Sequence, residues 1–366
     1  MPTLFDPIKL GAIDAPNRIL MAPLTRGRSD EQGVPQPHMI DYYRQRAGAG
    51  LIITEATGIS RQGLGWVNAP GIWSDAQVEA WKPVTQAVHA DGGRIFLQLW
   101  HMGRLVHSDF LDGAAPVSSS DRQAPGNVRT YKSGGKRIDY SVPRPLSVEE
   151  IKGVVADYAQ AARNAIRAGF DGVQIHSANG YLIDQFLRDN TNFRTDQYGG
   201  SVENRIRFLT EVTDAVIAAI GAERTAVRFS PNGETQGVDD SNPVPLFSAA
   251  AKMLDSRGIA FLELREQRPD GTFGQSDVPP VSPHIRPLFN GPLILNGDYN
   301  RAEALDAVAS GRADGIAFGR PFIANPDLVD RLAKDLPLAE LDAKTLYTPG
   351  PQGYSDYPRY DEPRAA

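Results

Sequence analysis

The chain has 366 residues, of which 41% are hydrophobic and 22% charged, with a formal net charge of -6 at neutral pH. That is apolar material enough for a large core and excludes a disordered chain, while the lack of any long Lys/Arg run argues against nucleic acid or a membrane surface as partner. There are 0 cysteines, which excludes disulfides, thiolate zinc sites and Cys-held iron–sulfur clusters.

The opening segment, Met1-Pro2-Thr3-Leu4-Phe5-Asp6-Pro7, has neither a basic n-region nor an apolar h-region. A secretory signal is therefore not expected. No apolar run approaches the ~20 residues that span a bilayer. A soluble, cytoplasmic protein is the expectation. Residues 4–15 predict a short hairpin that plugs the bottom of a barrel. Short β-rich apolar runs then recur at 18–21, 51–55, 94–99, 172–175, 225–230, 261–266, 292–295 and 315–318. Most are followed by a helical pattern, and strands alternating with helices imply a parallel sheet.

Three helix starts are well marked. Ser74-Asp75-Ala76-Gln77 and Ser147-Val148-Glu149-Glu150 are capping boxes. Behind the second, Ile151, Val154, Val155 and Tyr158 follow the spacing of an amphipathic helix. A third helix over 301–310 is closed by Gly311. Eight such units predict an α/β fold, a (β/α)8 TIM barrel. An open doubly wound sheet is the alternative, but no G-x-G-x-x-G follows the first strand. The whole chain, 1–366, is expected to be one domain. Residues 106–146, rich in Ser, Pro and Gly with a hairpin at Gly134-Gly135, are longer than an ordinary connection and predict a lid over the barrel mouth. Residues 334–366 form a Pro/Tyr-rich tail that folds back onto the body.

Chemistry-bearing residues cluster where strands run into loops, the end of a β/α barrel that carries its active site. Gly172-Val173-Gln174-Ile175 leads into His176-Ser177-Ala178-Asn179-Gly180-Tyr181. This puts an imidazole, an amide and a phenol together, suited to gripping a carbonyl-type oxygen and protonating a neighbouring carbon. The seventh strand runs into Asn296-Gly297-Asp298-Tyr299 and the eighth into Gly319-Arg320-Pro321. In barrels those two loops commonly hold a phosphate, with glycines admitting the backbone N–H groups and Arg320 able to grip oxygens bidentately. Taken singly, Gly319 would merely turn the chain and Arg320 would be a surface arginine. Thr25, Gln98 and Arg228 are polar residues at three further strand ends. A Gln or an Arg in an apolar strand is costly without a partner. An internal polar network would account for one of them; three converging on one mouth fit a flat ligand with many heteroatoms.

The sequence resembles the old yellow enzyme family of FMN-dependent ene-reductases over nearly its whole length. The resemblance rests on Ala15-Pro16-Asn17-Arg18, Met21-Ala22-Pro23-Leu24-Thr25-Arg26, Tyr42-Tyr43-Arg44-Gln45-Arg46-Ala47 and Gln98-Leu99-Trp100-His101-Met102-Gly103-Arg104. It continues through the 176–181 stretch, the 194–205 stretch from Arg194-Thr195-Asp196 to Glu203-Asn204-Arg205, and Ala317-Phe318-Gly319-Arg320-Pro321-Phe322. Thr25 and the H-x-x-N pair resemble the branch with the yeast enzymes and the bacterial nitroester, morphinone and N-ethylmaleimide reductases.

The resemblance implies non-covalent FMN, NADPH or NADH as hydride donor, and ping-pong reduction of activated C=C bonds such as those of α,β-unsaturated carbonyl compounds. It implies that Thr25 meets the flavin O4, that Gln98 and Arg228 meet its pyrimidine edge, and that backbone at Pro23, Leu24, Ala56, Gly297 and Asp298, with Gly319 and Arg320, completes the cradle. His176 and Asn179 would bind the activating oxygen beside the flavin, Tyr181 would deliver the proton, and Trp100 and Tyr347 would shape the substrate pocket. Phenolic ligands are expected at the same two donors. No metal, nucleic acid or membrane is expected, and the chain should be a monomer or a homodimer. The rivals are a nitroester or nitroaromatic reductase using the same site, and a flavin- or phenol-binding protein with little turnover. His38, His89, His107 and His284 are read as structural or surface, and His101 is given no chemistry. The charged sixth strand, Leu262-Glu263-Leu264-Arg265-Glu266, its loop 267–277, and Asn296 before Gly297 depart from the family pattern.

Overall fold

Eight short aliphatic runs, each preceding a helical segment, close into a parallel barrel. In the computed structural model, which describes residues 1–272 and 274–360, the strands are β1 (Ile19–Met21), β2 (Leu51–Gly58), β3 (Ile95–Trp100) and β4 (Gly172–His176). They continue with β5 (Thr225–Phe229), β6 (Phe261–Arg265), β7 (Leu293–Asn296) and β8 (Gly315–Phe318), and β8 pairs back onto β1. Each expected strand is present. The boundaries move by at most three residues and not at all at β8; the largest move is at β2, which runs on to Gly58 with a register shift between Ile53 and Ala56. Thr54, Glu55 and Thr57 interrupt the apolar run, and the added residues are 56–58. Thr54, Glu55 and Thr57 are buried, and Glu55 accepts the backbone N–H groups of Arg26 and Gly27 at 3.1 Å each.

Side chains alternate along each strand, so successive residues serve two cores. Ile52, Leu97, Val173, Val227, Leu262 and Leu293 face the helices in the larger cluster. Leu20, Leu51, Phe96, Ala226, Phe261 and Ile294 form a second cluster. Leu10, Ile13 and Ala15 join it from the N-terminal hairpin, whose strands Ile8–Leu10 and Ile13–Ala15 pair antiparallel. The hairpin closes the bottom of the barrel as expected. At its turn, Ala12 N–H donates to Glu223 O at 2.9 Å, and Gly11, at φ 58°, lies so close that a Cβ would stand 2.1 Å from that same oxygen.

The helices begin where their caps predict. Ser74 with Gln77, Ser147 with Glu150, and Asn300 with Glu303 each form a complete capping box. The third helix ends at Ala309, with Gly311 past its end at φ 75°. No helix among the described residues is long and apolar enough to cross a membrane.

Two segments frame the barrel mouth. Within 106–146, Val117–Ser118 pairs with Arg144–Pro145, and Asn127–Val128 forms a hairpin with Ile138–Asp139 around Gly134 and Gly135. Ala124, Val128 and Tyr140 from this segment pack with Ala56, Trp100 and Met102, and Trp66 and Tyr181 lean on the same cluster. The tail returns to the loop after β1. Arg28 donates to the carbonyls of Leu346 at 2.6 Å and Thr345 at 3.0 Å, and Arg26 to Gly353 at 2.5 Å. Tyr354 stacks on Tyr42 at 3.9 Å, so the tail's course is held from both ends; residues 361–366 lie outside the described residues.

Candidate active site

The barrel closure brings the expected residues to one rim, the C-terminal ends of the strands. Pro23, Leu24 and Thr25 are half-buried in the loop that leaves β1, not in the strand itself. Ala56 lies in β2, Gln98 and Trp100 in β3, His176 at the end of β4, and Arg228 in β5. Gly297 and Asp298 follow β7, and Gly319 and Arg320 follow β8, which is hydrogen-bonded to β7 and β1. Gly297 is required by its neighbour: a Cβ there would stand 2.6 Å from Glu266 O. Asp298 sits at φ 54° and accepts from Thr272 N–H and its hydroxyl at 2.7 Å each.

Gln98 and Arg228 belong to a polar chain that crosses the barrel. Gln98 Nε2 donates to Gln174 Oε1 at 2.8 Å, and Gln174 Nε2 donates to Glu263 Oε2 at 2.6 Å. Glu263 Oε1 lies 3.1 Å from Arg228 Nε, and Arg228 Nη2 donates to Asn296 Oδ1 at 2.8 Å. Asn296 Nδ2 then donates to the Ala317 carbonyl at 2.7 Å. The internal-network account is therefore correct for these two residues as far as their mutual support goes. Gln174, Glu263 and Asn296 were not among the expected site residues. Two were visible as polar residues inside apolar strands, and Asn296 as a departure; only the barrel register shows that they join.

The groups left over are informative. Buried polar atoms are normally satisfied, yet neither ring nitrogen of His176 has a hydrogen-bond partner among the described residues, and its Nδ1 is fully buried. The Trp100 indole Nε1 is buried and unpartnered as well. The Thr25 hydroxyl and the Arg320 guanidinium, both half-buried, make no hydrogen bond or ion pair in the described structure. Donors left open along one rim fit a flat, acceptor-rich ligand with an anionic end, which is the chemistry of FMN.

His176, Trp100 and Tyr181 form a single aromatic corner. The Tyr181 ring stands edge-on to His176 at 4.8 Å and to Trp100 at 4.9 Å. Burial, reinforced by Arg228, pushes the His176 pKa well below its usual 6.5, so the imidazole is neutral and can polarise an oxygen without charging. Burial raises the Tyr181 phenol above its ordinary 10, against a hydrogen bond with Gln236. It therefore keeps its proton at neutral pH. Asn179, at φ 57°, follows His176 by three residues and is 8% exposed. Tyr347 is 58% exposed and leans on Trp66 at 5.7 Å. Trp66 is a rim residue that no sequence signal singled out.

The remaining histidines are elsewhere. His89 Nε2 meets Asp171 at 2.9 Å on the outside of the barrel, a partner that sequence reading did not supply. His107 Nδ1 accepts from Asp109 N–H at 3.0 Å in the 106–146 segment. His101 is buried, with Nδ1 accepting from Gly103 N–H at 3.1 Å, a structural role. In the 194–205 stretch, Asp196 pairs with Arg194 and accepts from Tyr198 N–H, and Ser201 caps Val202–Arg205, as expected of a turn and helix start. No group of three or more His, Asp or Glu side chains that could hold a metal ion occurs among the described residues.

The chain as a whole is similar to known proteins. The sequence model of the NADH:flavin oxidoreductase / NADH oxidase family matches residues 3–339. The chain is 46% identical over 363 residues to 12-oxophytodienoate reductase 1 of Oryza sativa subsp. japonica, covering 98% of this chain and 93% of that protein. It is 44% identical over 361 residues to 12-oxophytodienoate reductase 2 of Arabidopsis thaliana, covering 97% and 95%. Among solved structures, the old yellow enzyme homologue from Zymomonas mobilis superposes with TM-score 0.95 at 59% identity, covering 98% and 99% of the two chains. Morphinone reductase in complex with tetrahydroNAD superposes with TM-score 0.92 at 46% identity, covering 99% and 98%.

Proposed function

For a chain that belongs to the NADH:flavin oxidoreductase / NADH oxidase family, we propose that His176, Asn179 and Tyr181 carry the reduction of activated alkenes. The enzyme is of the old yellow enzyme type, an FMN-dependent, NAD(P)H-linked reductase of activated C=C bonds. When bound, FMN supplies the hydride equivalent taken from NAD(P)H. Everything else is the task of this chain's side chains. Thr25, Gln98 and Arg228 hold the flavin ring, backbone at Pro23, Leu24, Ala56, Gly297 and Asp298 lines it, and Gly319 with Arg320 receives the phosphate. Arg228, held by Glu263 and Asn296, would present its guanidinium to the pyrimidine edge of the flavin.

His176 and Asn179 take the carbonyl oxygen of the alkene. As hydride arrives at the β-carbon, negative charge builds on that oxygen. Donors already aimed at the developing charge stabilise it without reorganisation. Tyr181 then gives its proton to the α-carbon. Trp100, Trp66 and Tyr347 wall the cavity, and 106–146 acts as its lid. The whole chain serves as one barrel domain, working in the cytoplasm as a monomer or homodimer. The observation that carries the reading is the pairing of an unpartnered, neutral imidazole with a protonated phenol 4.8 Å away.

Stopped-flow traces of Tyr181→Phe test it. Oxidation of NADPH needs no proton from Tyr181 and should be nearly unchanged. Reduction of cyclohexenone should slow by ~10²–10⁴-fold, the usual contribution of a general acid. Equal slowing of both half-reactions would make Tyr181 a binding residue, and no slowing of either would assign the proton to another group.

A further inference from the structure

Asn179 is committed at every polar group but one. Its backbone N–H donates to Ser230 Oγ at 2.7 Å, and its backbone carbonyl accepts from Gln236 Nε2 at 2.7 Å. Its side-chain Oδ1 faces Arg265, whose Nη1 lies 3.4 Å away. Nδ2 alone has no partner among the described residues. Arg265 closes β6 and is 6% exposed. Burial, and then the neighbouring Arg228, lowers its pKa to about 10, so it is a cation at neutral pH.

A guanidinium has donors and no acceptor. It can meet the oxygen of an amide but not its nitrogen. If the Asn179 amide turned over, its N–H groups would point at the N–H groups of Arg265, and Oδ1 would take the open position that Nδ2 holds. A substrate oxygen there would then meet an acceptor in place of a donor. The charge opposite Oδ1 thus selects between two otherwise similar side-chain orientations, and it selects the one that leaves Nδ2 open as a donor.

We propose that Arg265 is a positioning residue for the reduction, acting through Asn179 by locking its amide with the nitrogen toward the substrate oxygen. The inference rests on the reading of Asn179 as an oxygen-binding donor.

A double-mutant cycle on the FMN-loaded enzyme tests it, read by the affinity for 4-chlorophenol from the long-wavelength absorption that the phenol should produce beside the flavin. Arg265→Met should weaken phenol binding about tenfold, the scale of one hydrogen bond involving a charged group. Arg265→Lys keeps a donor-only cation and should recover most of the affinity. Arg265→Gln, which can donate or accept, tolerates both amide orientations and should fall between. In an Asn179→Ala background, Arg265→Met should change the affinity less than twofold, because contacts that act through one residue are not additive. Unchanged affinity in Arg265→Met, or equal weakening with and without Asn179, overturns the proposal. If Asn179→Ala alone leaves phenol binding intact, the underlying assignment of Asn179 fails instead. Should the Met variant not retain FMN, the Lys and Gln variants carry the same comparison.

Discussion

The bottom and the mouth of the barrel are built from the same strands, one step of two residues apart. On β3 the pair is Phe96 and Gln98; on β5, Ala226 and Arg228; on β6, Phe261 and Glu263; on β7, Ile294 and Asn296. The first of each pair lies in the apolar cluster sealed by the N-terminal hairpin. The second lies in the polar chain that ends at Ala317 O. Residues two apart share a face of a strand, so stability and chemistry occupy adjacent layers of one tube. The lower layer is stabilised by removal of apolar area from water, which asks only for volume. The upper layer must satisfy each buried polar group by name, and the few it leaves open are those a ligand would complete.

The largest effect should come from breaking the lower layer alone. Phe261→Ala removes a wholly buried ring that packs against Phe96 at 5.8 Å. Loss of such a side chain costs about 3–5 kcal/mol. Chemical denaturation should show that loss while the FMN absorption spectrum of the folded enzyme stays the same. A spectral change as large as that of an upper-layer variant would mean the layers are not separable.

Asn296→Ala attacks the upper layer. It removes the acceptor for Arg228 and the donor to Ala317 O, at a cost of about 1–3 kcal/mol. Unlike Phe261→Ala, it should also weaken FMN retention on dialysis, because Arg228 loses one of its two anchors. Full retention would take Arg228's orientation out of cofactor binding.

Protonation offers a gentler probe. Burial lowers the His101 pKa from its ordinary 6.5 to about 3, and His176 is lowered in the same direction. The unfolded chain therefore binds these protons first as the pH falls. Stability should decline as the pH drops below about 6.5, by at most about 1.4 kcal/mol per pH unit from each group. His101→Asn keeps an acceptor for Gly103 N–H and should make that decline shallower, leaving the share due to His176. Melting curves that remain parallel across this range would show that His101 does not titrate on unfolding.

The smallest effect belongs to a site in neither layer. Ser147 caps Val148–Arg167 by accepting from Glu150 N–H at 3.2 Å. Ser147→Ala should cost about 1 kcal/mol, with FMN retention and the pH slope unchanged. Any change in retention would show that the outer helices are coupled to the mouth.

Much of this was legible in the chain alone. Local signals act over a few residues: a capping Ser with Gln or Glu three places on, an alternating or continuous apolar run, a glycine past a helix. They therefore foretold the eight strands, the marked helices, the N-terminal hairpin and the hairpin at Gly134-Gly135. The H-x-x-N-x-Y stretch was legible for the same reason, since one strand end and the loop behind it hold all three residues. What tertiary structure alone decided is every relation between residues far apart in sequence. Gln174 and Glu263 are 89 positions apart and share a hydrogen bond of 2.6 Å because β4 and β6 flank the same bore. Arg265 meets Asn179 across 86 positions, and Arg28 holds the Leu346 carbonyl across 318. No propensity or spacing encodes such a pairing. It follows from the closure of β8 onto β1, which sets the register of all eight strands at once and so fixes which side chains stand level at the mouth.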